Sequence, residues 1–180
     1  MKKNSLLCAI ILGIMATTLP AQTVKKDYTH QVDSVLKLMT VEEKVGQMIQ
    51  YSNNKLLTGP SLDSRNHTEE IKRGEVGSIF NILTVERAKQ YQDLAMQSRL
   101  RIPLIFGLDV VHGMRTIFPI PMAEAASFNL ALIKKTASVA AAETSAHGIH
   151  WTFAPMVDIS RDARWGRSME GAGEDPWYGS

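Results

Sequence analysis

Cysteine is nearly absent from this sequence: Cys8 is the single one in 180 residues. It falls inside an N-terminal stretch that reads as removable, so the rest of the chain holds no disulfide framework and no thiolate metal site. A surplus of one charge is missing as well. Lys and Arg number 20 against 18 Asp and Glu, and Lys2 and Lys3 account for the difference. The remaining chain is formally neutral, which argues against nucleic acid as a partner, because such a partner needs a basic face. No apolar run after residue 21 is long enough to cross or anchor in a membrane. No spacing brings three or four metal ligands together, so no metal is expected. Gly171-Ala172-Gly173 lacks the third glycine and the strand-to-helix setting of a dinucleotide fingerprint, and no serine nucleophile elbow occurs. No cofactor is expected either.

With 44% hydrophobic and 21% charged residues, the composition is that of a globular domain. Residues 1–21 stand apart. A basic start at Lys2-Lys3, an apolar run from Leu6 to Met15 and the small residue Ala21 before Gln22 make a secretory signal peptide. The expected domain therefore covers residues 22–180, exported across the inner membrane to the periplasm. Asn66-His67-Thr68 fits a glycosylation acceptor, relevant only in a eukaryotic secretory pathway.

Along the chain, Val32, Val35, Leu36 and Met39 recur at helical spacing over Tyr28 to Met39. Thr40 and Glu43 form a capping box for a helix carrying Val41, Val45, Met48 and Ile49 on one face. Asn53 to Asn66 reads as a loop. Thr68 to Arg73 is a short helix stopped by Gly74. Val76 to Ile82 is a strand, and Thr84 caps a helix from Val85 to Ser98. Pro103 to Asp109 is a nearly unbroken apolar run, the signature of a strand buried on both faces. His112 to Pro121 is a loop. Asn129 caps a helix over Leu130 to His147, with Gly148 as its stop. His150 to Val157 is the third strand, expected to be buried. Strands alternating with helices mean a parallel sheet with helical crossovers. A doubly wound sheet and a (β/α)8 barrel both satisfy this order.

Two places stand out chemically. Asp109 is a charge that directly ends a buried run, so it needs partners or a ligand. After the strand His150 to Val157 the chain turns polar, with Asp158, Arg161, Asp162, Arg164, Trp165, Arg167, Glu170, Glu174 and Asp175. A strand followed by a charged loop is how a site at the carboxyl end of a parallel strand is built. The competing reading is a solvated loop whose arginines and carboxylates pair with one another, with Asp109 capping a turn. His112 could carry protons but suits a structural hydrogen bond better, and His147 and His150 flank a helix stop.

Three stretches resemble motifs of the N-terminal domain of glycoside hydrolase family 3, the β-glucosidase and β-xylosidase family. They are Ile102 to Gly113, Thr116 to Ala126, and His150 to Pro176. The resemblance runs from about Tyr28 to the last residue and is strongest toward periplasmic β-glucosidases. It implies the barrel, here an incomplete (β/α)8 TIM-type barrel holding about three of the eight strands. It implies a retaining hydrolase that removes terminal β-D-glucosyl residues from glucosides or oligosaccharides. Asp109 is then expected to bind the nonreducing-end sugar, and Arg167 to contact the same sugar. Arg161 and Arg164 are left to pair with Asp158, Asp162 or Glu170. The nucleophile and the acid/base are expected beyond residue 180, so these residues alone should be inactive. The alternative is a noncatalytic sugar-binding or interaction module ending naturally at Ser180.

Overall fold

A computed structural model describes residues 26–53 and 67–179. The expected signal peptide, Cys8, most of the loop before His67, and Asn66 lie outside the described residues. Contacts divide the chain into Met1–Leu38 and Met39–Ser180. Within the first unit, α1 (Thr29–Leu38) is a regular helix with no buried residue.

The second unit runs α2 (Val41–Gly46), β1 (Gln50–Ser52), α3 (Thr68–Arg73), β2 (Ser78–Phe80), α4 (Val85–Ala95), β3 (Ile105–Leu108), α5 (Pro121–Ala125), α6 (Leu130–Ala146), β4 (Trp151–Thr152), a 3-10 turn at Ser168–Glu170 and α7 (Pro176–Gly179). The capping box forms as expected. Thr40 Oγ1 accepts from the Glu43 amide at 3.2 Å, and Glu43 accepts from the Thr40 amide at 2.8 Å. Arg99 closes a fork on the same carboxylate at 3.1 and 2.6 Å. Gly74 and Gly148 both end their helices at φ 78°, a conformation that costs a residue with a Cβ.

The sheet has four parallel strands in the order β1-β2-β3-β4. A doubly wound sheet reverses its strand order at a switch point, whereas a (β/α)8 sheet adds each strand beside the last. The monotonic order is the barrel's. One strand more is present than periodicity suggests. β1 falls where the helical pattern of Val45, Met48 and Ile49 masks it. Gly46 ends that helix early, and Gln50 to Ser52 pairs with β2.

Strand burial differs from expectation in two places. Leu104, Phe106 and Leu108 are buried under the helices with Ile71, Ile79, Ile82, Ala88, Ala95 and Ala140. Ile105, on the other face, is half exposed, so that strand is covered fully on one side only. The expected strand His150 to Val157 shrinks to Trp151–Thr152. Trp151, Phe153 and Val157 are all exposed. β4 is the sheet edge among the described residues, and Pro155 has no N–H to continue a ladder.

Candidate functional site

The carboxyl ends of β1 to β3 are tied by short-range polar contacts. Asn53 donates its amide to Phe80 O at 2.9 Å, and Asn81 donates its own to Gly107 O at 3.0 Å. Asn81 Nδ2 donates to Ser52 Oγ at 3.0 Å. Asn81 is buried and sits at φ 65°, a conformation asparagine tolerates better than most residues. Sequence reasoning missed this asparagine pair, since Asn53 looked like ordinary loop punctuation and Asn81 fell inside the strand expected over Val76 to Ile82.

Asp109 follows β3 directly and is exposed. Val110 after it is buried, which anchors the backbone on both sides of the carboxylate. The loop beyond is fixed by Glu143 of α6. That carboxylate accepts from the amides of Arg115 at 2.9 Å and Thr116 at 2.8 Å, and from Thr116 Oγ1 at 2.7 Å. The Thr116 hydroxyl, then its amide, hold the Glu143 carboxyl below the usual range. Gly113 sits at φ 120°, and a Cβ there would lie 2.0 Å from Thr116 O, so only glycine fits the turn. His112 Nδ1 lies 3.0 Å from Phe118 O. A carbonyl can only accept, so that nitrogen carries the proton and the histidine is committed to the loop. His147 is used the same way against Glu143 O at 2.8 Å. His150 Nδ1 accepts from the Phe106 amide at 3.1 Å.

The loop after β4 is self-tied. Ser160 is buried, and its Oγ lies 2.8 Å from Ser168 Oγ. Ser168 Oγ also reaches Trp165 O at 2.8 Å. Met156 bridges to Gly171. Arg164 forks onto Asp162, whose carboxyl is held below its usual range by that contact. Glu170 goes to Arg167 instead of Arg161 or Arg164, accepting from Nε at 3.1 Å and Nη2 at 2.7 Å. The hydrogen bond to Arg167 lowers the Glu170 pKa. Glu170 in turn raises that of Arg167, with smaller electrostatic contributions from Asp109 and Asp158.

Asp109 follows β3, Arg167 lies in the loop after β4, and the Asp109 charge is among the smaller causes that raise the Arg167 pKa. They form no direct ion pair, and among the described residues Asp109 accepts no hydrogen bond. Among the same residues Nη1 of Arg167 finds no acceptor. A carboxylate with both oxygens free, and a guanidinium with one nitrogen lacking an acceptor among the described residues, suit a ligand with several adjacent hydroxyls. A separate cavity of about 520 Å³ lies beside α6, lined by Val110, Phe118, Glu124, Ala140 and Glu170 among others. Neither Asp109 nor Arg167 lines it. No cluster of three metal-ligating side chains occurs among the described residues, and no helix there is long and apolar enough to cross a membrane.

Residues 40–179 match the family described as "Glycosyl hydrolase family 3 N terminal domain". The chain is 48% identical over 150 residues to a periplasmic beta-glucosidase of Salmonella typhimurium, covering 83% of this chain and 19% of that protein. It is 31% identical over 174 residues to a lysosomal beta glucosidase of Dictyostelium discoideum, covering 83% of this chain and 21% of that one. Among solved structures, a beta-glucosidase from Listeria innocua in complex with isofagomine aligns with a TM-score of 0.75 at 38% identity, over 84% of this chain and 21% of that one. The same enzyme, as a mutant, is also known with laminaribiose bound, at a TM-score of 0.72 and 36% identity over 84% of this chain and 22% of that one. The chain spans about a fifth of the length of the relatives it matches.

Proposed function

The chain belongs to glycosyl hydrolase family 3, and on that footing we propose that it supplies the sugar-holding half of a β-glucosidase site. In this reading Asp109 accepts hydrogen bonds from two neighbouring hydroxyls of the nonreducing-end glucosyl residue. Arg167 donates through Nη1 to a hydroxyl of the same ring. The observation that carries the reading is the exposed Asp109 carboxylate directly after β3, which accepts no hydrogen bond among the described residues.

The reaction is hydrolysis of a terminal β-D-glucosyl bond with retention. A carboxylate nucleophile and an acid/base, both outside these 180 residues, break the acetal through an oxocarbenium-like transition state. Asp109 and Arg167 contribute by orientation. Hydroxyl contacts that tighten as the ring flattens lower the barrier instead of merely improving affinity. The substrates are β-linked glucosides or oligosaccharides, supported by the beta-glucosidase relatives and the laminaribiose complex of a structural neighbour.

In the hydrolase carrying this chain, Asp109→Ala should lower kcat/KM for an aryl β-glucoside by more than about tenfold, roughly 1.4 kcal/mol. A smaller loss would make Asp109 a structural residue and overturn the reading. We also propose that residues 1–21 direct export to the periplasm and are cleaved before Gln22, as the periplasmic relative suggests. Mass spectrometry of the exported protein checks this: Gln22 should be the first residue, and an intact Met1 would refute it.

A further inference from the structure

We infer that Glu170 is a positioning residue for Arg167, one that aims the guanidinium's free edge at the ligand without touching the ligand itself; this rests on the sugar-binding reading of Arg167. An arginine side chain has several rotatable bonds, and on an exposed loop its fork samples many directions. Arg167 does not have that freedom. Glu170 lies three residues on, across a single 3-10 turn, and one oxygen, Oε2, accepts from both Nε at 3.1 Å and Nη2 at 2.7 Å. Because a guanidinium is planar, fixing Nε and Nη2 fixes the whole group. Nη1 is left as the one nitrogen with no acceptor among the described residues.

Glu170 is itself anchored, which an ordinary surface partner would not be. The 3-10 turn that carries it packs against α5. Ser168, in the same turn, is bonded to Ser160 at 2.8 Å and to Trp165 O at 2.8 Å. The Glu170 side chain is 30% exposed against 58% for Arg167, so the acid is the fixed member of the pair and the arginine is the one held. Asp109 and Asp158 also bear on Arg167 electrostatically. Without Glu170 the guanidinium would be free to swing onto either. A direct pair with Asp109 would consume the carboxylate the sugar needs. Glu170 thus keeps the two ligand-binding groups apart as well as aimed.

A double-mutant cycle in the hydrolase carrying this chain tests this, with kcat/KM for an aryl β-glucoside as the readout. Arg167→Ala should lower kcat/KM by more than about tenfold. Glu170→Ala should cost a substantial part of that loss, and Glu170→Gln, which keeps the shape and one acceptor, should recover some of it. The double variant should be no worse than Arg167→Ala alone, because Glu170 then has nothing left to position. Thermal melts identify a variant that has lost its fold; in that event the Gln variant decides. Additive losses, or a Glu170→Ala variant within about threefold of the parent while Arg167→Ala is crippled, would overturn the inference and leave the Arg167 reading intact. A silent Arg167→Ala would instead remove the sugar-binding reading and the inference with it.

Discussion

Glu43 is a buried carboxylate whose surroundings favour its charged form. It is 6% exposed, yet it accepts from the Thr40 amide and from two nitrogens of Arg99. The Arg99 contact, then the Thr40 amide, depress its carboxyl below the ordinary value. A depressed folded-state pKa adds stability above the unfolded value, near 4.3, and loses it as pH falls through the folded one. The carboxylates of Glu75, Glu143, Asp162 and Glu170 shift in the same direction. Glu43→Gln should therefore melt lower than the parent near about pH 7, and the gap should narrow toward about pH 3. A gap that stays constant with pH would show that the fork is not held by charge. The capping half of this contact was readable from Thr40-x-x-Glu43. The Arg99 half was not, because it spans 56 positions and no local pattern records it.

Among elements, those with local punctuation were legible. α3 with its Gly74 stop, α4 with its Thr84 cap and α6 between Asn129 and Gly148 all carry their boundaries in the chain. The strands were less so. A parallel strand is defined by neighbours distant in sequence, and β1 was concealed by a helical repeat that Gly46 cuts short. α5 was missed, since the expected loop His112 to Pro121 ends on its first residue, and a proline there looks like a loop residue until the following turn is seen. β4 is fastened by something no periodicity shows. The His150 amide donates to Phe106 O at 3.0 Å, and His150 Nδ1 accepts from the Phe106 amide at 3.1 Å. His150→Leu should leave that amide without a partner at a cost of about 1–3 kcal/mol. A lowered denaturation midpoint with an unchanged m-value is the expected result. An unaffected midpoint would mean that the edge strand does not depend on the bracket.

For the whole molecule, the strand order decides between two folds that periodicity leaves equal. It also sets β3, which leads into Asp109, beside β4, whose following loop carries Arg167. The position of Asp109 was legible because a charge ending a buried run is conspicuous. The Arg167–Glu170 fork was not, since three arginines and several carboxylates in one loop allow many pairings. The most direct test is a crystal structure of the hydrolase carrying this chain with glucose bound. Asp109 should accept from two adjacent hydroxyls of the sugar, and Arg167 should donate through Nη1 to the same ring while still forked on Glu170. A glucose seated elsewhere, with Asp109 in bulk water or paired to Arg167, would contradict the account.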